Sequence, residues 1–281
     1  MRLKKRQLRK IALLPTLITL GNAVCGFIAI IKIGEGKPSS YEMAAWFILI
    51  AMVFDSLDGR IARITRTASN FGSQLDSICD IISFGVAPAL LVRSLCTTGG
   101  YSTFPERLVT ILSLFYLVCV AVRLARFNVE NPTDEKYHQE FAGLPSPAAA
   151  GVIASIAIPW SELSNPVFNE YTKYTDAISG YAGGALPLIL FALGLLMVSR
   201  MKYSHILNKL FKGTRPFVNL VELTLFAILL ALLHEFAIFM AFALYTLSGP
   251  AIWLRNRIFK KSPQAMPQQQ EIATNQDESI F

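Results

Sequence analysis

Charge is scarce in this chain. Only 16% of its 281 residues are Asp, Glu, Lys or Arg, against 53% hydrophobic residues arranged in long runs. That balance excludes an ordinary soluble domain and points to a polytopic membrane protein. Histidine is rarer still, with His138, His205 and His234 alone, and the four cysteines, Cys25, Cys79, Cys96 and Cys119, sit in or beside apolar runs. Their spacing fits neither a zinc site nor a disulfide framework, and they read as core residues. No internal repeat is evident. No A-x-A-like cleavage site follows the basic N-terminus, so the first apolar run reads as an uncleaved span rather than a signal peptide.

What the chain does have is a polar stretch between two apolar segments, Asp55 to Asp80, reading DSLDGRIARITRTASNFGSQLDSICD. Carboxylates at the edge of lipid-grade sequence are costly and call for a metal ion or another cation. At about 100° per residue, Asp55, Asp58, Gly59, Ala62 and Arg63 share roughly a 140° arc of one helix. Gly72, Asp76, Asp80 and Ser83 share roughly an 80° arc of the next by the same arithmetic. A polar turn around Thr65 to Asn70 separates them, so two antiparallel helices would face their carboxylates at each other. All-oxygen donors suit Mg²⁺ or Mn²⁺ rather than zinc. Gly59 and Gly72 keep side chains off the carboxylate faces, and Arg63 adds a cation suited to phosphate. Together these residues indicate phosphate chemistry on a nucleotide-like substrate. A buried ion-pair cluster is the simpler alternative, but four acids against Arg63 and Arg60 leave negative charge to neutralise.

The pattern Asp55-x2-Asp58-Gly59-x2-Ala62-Arg63-x8-Gly72-x3-Asp76-x3-Asp80 resembles the signature of the CDP-alcohol phosphatidyltransferases at every position. Softer patterns, LGNAVCGF, SFGVAPA, RLARFNV, GLPSPAAA and VSR, resemble the serine-accepting, integral-membrane branch of that family. A departure is Thr16 after Pro15, where many members carry asparagine. The resemblance covers about residues 11–255. It implies two divalent ions, Mg²⁺ or Mn²⁺, held by Asp55, Asp58, Asp76 and Asp80, with Asp80 as general base. It implies CDP-diacylglycerol and L-serine as substrates, contacts from Gly59, Ala62, Arg63, Gly72 and Ser83, and a homodimer. A phospholipase-D-like route needs H-x-K motifs, and no histidine here has lysine two residues later. Open alternatives are another acceptor (glycerol 3-phosphate or inositol phosphate) and, more remotely, an ion carrier.

The expected fold is an all-α transmembrane bundle of about eight spans, near 11–33, 41–64, 71–95, 106–127, 147–160, 178–199, 217–233 and 235–254. Gly85, Pro88, Pro159 and Pro187 are candidate bends. Basic residues 1–10 precede the membrane domain, 11–255, and a polar tail, 256–281, is expected to be disordered. With the N-terminus inside, 21 of the 26 Lys and Arg fall on inner segments. This bias puts both termini and the aspartates on the cytoplasmic side of a bacterial-type inner membrane. Topology accounts for the net charge of +7, and nucleic acid is not needed as a partner. Arg123 and Arg126, at i and i+3, read either as cations beside lipid phosphates or as receptors for a substrate phosphate or carboxylate. Thr16, Thr19 and Asn22 read either as helix-packing groups or as lining of the nucleotide pocket. Glu222 and Glu235 are left outside the site.

Overall fold

A computed structural model describes residues 2–65, 70–98, 103–130, 141–159, 172–199, 201–203 and 234–259. The side chains of Arg63 and of residues 2–13 are not among those described. The described chain is helical apart from one two-residue strand pair. Its elements are α1 (Arg2–Gly34), α2 (Pro38–Thr65), α3 (Asn70–Asp80), a π-helical stretch (Ile81–Val86), α4 (Ala87–Thr98), α5 (Glu106–Glu130), β1 (Phe141–Ala142), α6 (Ser146–Ala157), α7 (Thr172–Val198), β2 (Lys202–Tyr203) and α8 (His234–Phe259).

Among the described residues, five helical segments are long and apolar enough to cross a membrane: Leu14–Gly34, Pro38–Ala62, Phe71–Thr97, Glu106–Val129 and Ile238–Arg255. They correspond to the first four expected spans and the eighth. The fifth expected span is α6, whose 12 residues extend about 18 Å, short of the ~30 Å hydrocarbon layer. Ten of them are buried, so α6 is a core helix wrapped by its neighbours and needs no lipid-matched length. The sixth appears as α7, with its apolar part at Gly183–Val198. The seventh, 217–233, and most of the tail lie outside the described residues. The chain is thus a multi-pass membrane protein by the length and composition of its helices.

In lipid, apolar area does not drive helix against helix, so close approach of small side chains does. The sequence supplies them. On α1, Leu14, Leu17, Leu20, Val24, Phe27 and Ile31 face outward, while Asn22, Cys25, Ala29 and Ile33 face inward. Ala44, Ala45, Ile48 and Ala51 form the buried stripe of α2, which packs along α1. A Cβ on Gly21 would meet the Phe54 ring at 3.1 Å. The α1–α2 turn is closed by Glu35, whose carboxylate accepts Lys32 Nζ and Ser40 Oγ, each at 2.6 Å. Gly36 takes the left-handed conformation there at φ 69°.

The third span is continuous but not uniformly wound. Pro88 brings no N–H to the carbonyl of Phe84, four residues earlier. The helix widens just before it into the π-helical stretch, where the Ala87 N–H reaches the carbonyl of Ile82. Pro88 and Gly85 therefore mark a change of helix type. Pro187 is carried inside α7, and Pro159 falls in the turn after α6.

A short strap ties the segment before α6 to the end of α7. Phe141 pairs with Tyr203 and Ala142 with Lys202. Gly143 N donates to Met201 O at 2.9 Å and Leu144 N to Leu196 O at 3.1 Å. Gly143 has φ 90°, and a Cβ there would run into the main-chain carbonyl of Met197. The strap fixes where α6 begins, and so places Ser146.

Candidate active site

Asp55 and Asp58 lie near the end of α2, and Asp76 and Asp80 on α3. The fold brings these helix ends together. One carboxylate oxygen from each of Asp55, Asp76 and Asp80 lies within 4.8 Å of the others. Asp58 joins the same electrostatic neighbourhood, facing both Asp55 and Asp76. Its own polar neighbours are Thr19 and the Gly59 main chain. Asp58 and Asp80 are buried, at 5% and 6% exposure.

Asn22 Nδ2 on α1 donates to Asp80 Oδ1 at 2.9 Å. Ser83, on the same face by α-helical arithmetic, lies behind Asp80 in the π-helical stretch. Its hydroxyl donates toward the carbonyls of Asn22 (3.0 Å) and Cys79 (3.1 Å), and it is fully buried. Gly59 is exposed, and a Cβ there would meet nothing within 4 Å. Ala62 and Gly72 are half-buried. Arg63 belongs to the α2 backbone.

From α5 comes Arg123, within electrostatic reach of Asp80 and Asp55 as well as Tyr116 and Tyr245. Its Nη1 donates to Ser146 Oγ at 2.7 Å, while Nε is buried without a hydrogen-bond partner among the described residues. Arg126 is half-buried on the next turn of α5. A second polar contact joins α3 to α5, where Asn128 Nδ2 donates to Ser77 Oγ at 2.9 Å.

These donors fit a divalent cation. Carboxylates this close repel unless a cation lies between them. Asp58 Oδ2 and Asp76 Oδ1 are buried acceptors without hydrogen-bond partners among the described residues, so lone pairs remain for a metal. The set is all oxygen, the chemistry of Mg²⁺ or Mn²⁺.

Four contributors had a weaker sequence signal. Thr19 and Asn22 were visible as polar residues three apart on a membrane span, but their aspartate partners were not. Ser146 stood in the GLPSPAAA pattern with nothing to link it to Arg123. Tyr245 lies in an apolar run with no site signal at all.

The sequence profile of the CDP-alcohol phosphatidyltransferase family matches residues 12–195. A Helicobacter pylori protein named CDP-diacylglycerol–serine O-phosphatidyltransferase is 32% identical over 244 residues, spanning 86% of this chain and 91% of its own. A Methanocaldococcus jannaschii protein of the same name is 34% identical over 204 residues, 73% of this chain and 80% of its own. An archaetidylserine synthase of Methanothermobacter thermautotrophicus is 32% identical over 197 residues, 69% of this chain and 70% of its own.

Proposed function

This chain belongs to the CDP-alcohol phosphatidyltransferase family, and on that premise we propose that it transfers the phosphatidyl group of CDP-diacylglycerol to the hydroxyl of L-serine, giving phosphatidylserine and CMP. The observation that carries the reading is the convergence of Asp55, Asp76 and Asp80 within electrostatic reach of Arg123. The choice of acceptor is supported by the relatives, whose names share serine while their lipid differs.

Asp55, Asp58, Asp76 and Asp80 would hold two divalent ions, Mg²⁺ or Mn²⁺. When bound, such ions neutralise charge on the diphosphate and on the departing CMP phosphate. The open space at Gly59 admits the nucleotide, and Ala62 and Gly72 add little side-chain bulk beside it. Arg63 pairs with phosphate. Arg123, steadied by Ser146, presents its guanidinium to an anionic group of the substrates. Asp80 takes the proton of the serine hydroxyl. The serine oxygen forms its bond to the lipid-side phosphorus as the bond from that phosphorus to the CMP oxygen breaks. The diacyl chains stay in the bilayer throughout.

The site and both termini face the cytoplasm of a bacterial-type inner membrane, a sidedness supported by the 21 of 26 basic residues on inner segments. The working unit is a homodimer, by family resemblance.

The test is acceptor-dependent CMP release from CDP-diacylglycerol by the purified chain with Mn²⁺ or Mg²⁺. Release with L-serine alone, lost in Asp76→Ala, is the expected result. Release with glycerol 3-phosphate or inositol phosphate instead keeps the aspartate chemistry and removes serine. Ion flux in sealed vesicles without CMP release with any acceptor favours a carrier.

A further inference from the structure

We infer that Asn22 is a positioning residue for Asp80, holding that carboxylate in the one orientation in which it meets Asp55 and Asp76. The inference rests on the metal-site reading above and extends it to a helix outside the aspartate signature.

Asn22 is fully buried on α1, 58 positions from Asp80, and its amide is 2.9 Å from Asp80 Oδ1. The same residue accepts the Ser83 hydroxyl on its main-chain carbonyl at 3.0 Å. One residue of α1 therefore grips both ends of Asp80–Ser83, the point where α3 passes into the π-helical stretch. One turn along, Gly26 permits this approach, because a Cβ there would lie 2.5 Å from Ser83 Oγ and 2.8 Å from Ser83 Cα.

The amide orientation is informative. Asn22 Oδ1 is buried with no hydrogen-bond partner among the described residues. Leaving a buried acceptor unpaired is unfavourable, and a side chain present only for packing would not carry one. The reverse orientation would set that oxygen against the Asp80 carboxylate. Asp80 thus dictates how Asn22 sits, and Asn22 in turn restricts a carboxylate whose terminal torsion is otherwise broad. Hydrogen bonds behind ligating side chains fix ligand direction in this way.

Asn22→Leu is the discriminating variant: near-isosteric, apolar, and without the unpaired acceptor. Mn²⁺ binding to the purified full chain, read by electron paramagnetic resonance without lipid substrate, is compared with the wild type. Thermal unfolding and steady-state kinetics are measured on the same samples. The expected result is preserved unfolding temperature, Mn²⁺ affinity weakened by about tenfold or more, and kcat at saturating metal reduced by about thirtyfold with KM for serine little changed. Asn22→Ala should show the same split. Folded Asn22→Leu with Mn²⁺ affinity and kcat within about threefold of wild type overturns the inference. So does loss of the fold in both variants, which would assign the amide to bundle stability. Wild-type chain that binds Mn²⁺ yet releases no CMP with serine would remove the serine reading and leave the Mn²⁺ comparison standing.

Discussion

The hydroxyl of Tyr116 on α5 donates to the main-chain carbonyl of Phe84 at 2.9 Å, and both residues are fully buried. This bond answers a defect that the sequence creates. Pro88 cannot offer the α-helical N–H that Phe84 would receive, and the bilayer interior has no water to replace it. A side chain from the neighbouring helix fills the gap and locks α5 to the π-helical stretch next to the aspartates.

Tyr116→Phe should therefore destabilise the chain by about 1–3 kcal/mol, the cost of leaving a buried acceptor unmet. Thermal unfolding in detergent reads this as a drop of several degrees. An unchanged unfolding temperature would mean that the Phe84 carbonyl is satisfied within its own helix.

Removing metal should be as damaging as removing a ligand. Chelation with EDTA is expected to abolish CMP release, and added Mn²⁺ or Mg²⁺ to restore it. Asp55→Ala and Asp76→Ala should each lose at least about a hundredfold in turnover, since on the proposed reading each deletes a ligand rather than a supporting group. Because these carboxylates crowd one another, either substitution relieves repulsion, so unfolding temperature without metal should rise or hold. A fall would identify the aspartates as structural.

The aspartate site was legible because its signal is local. Four acids at fixed helical spacing, with glycines clearing the way, carry their meaning in the 26 residues from Asp55 to Asp80. Apolar runs likewise marked the long helices, since lipid imposes a length. The links across the bundle were not legible. Asn22 to Asp80 and Arg123 to Ser146 join residues far apart in the chain, and no periodicity encodes which faces meet. The π-helical stretch also escaped, because Gly85 and Pro88 announce a disturbance without saying which. Helical arithmetic put Ser83 beside Asp76 and Asp80, whereas the structure commits its hydroxyl to the carbonyls of Asn22 and Cys79. The short α6 follows from burial on all sides, a property of its neighbours rather than of its own composition.

The strap before α6 gives a backbone prediction. Gly143 sits at φ 90° against the Met197 carbonyl. Gly143→Ala combines a left-handed strain of roughly 1–3 kcal/mol with a direct clash. The variant should unfold at lower temperature, and the surviving protein should bind the acceptor less well, because Ser146 begins three residues on. Wild-type stability in this variant would show that the strap is free to rearrange.

Arg123 offers the sharpest test of how an anionic group of the substrates is held, and the acceptor carboxylate is the group tested first. Its Nη1 is committed to Ser146 and its Nε has no partner among the described residues, so the guanidinium has a defined direction rather than being a diffuse charge. Lysine at this position keeps the charge but not the planar fork. Arg123→Lys should therefore reduce kcat/KM for serine by about 10–100-fold, equivalent to about 1.4–2.8 kcal/mol, with a smaller change for CDP-diacylglycerol. Ser146→Ala should reproduce part of that loss, since it removes a hydrogen bond to a charged group worth about 1.5–3 kcal/mol. Arg126→Lys, on the next turn, should cost less than either. The reverse order, with Arg126→Lys the more damaging, would move anion recognition to the outer turn of α5 and leave Arg123 as a counter-charge to the aspartates.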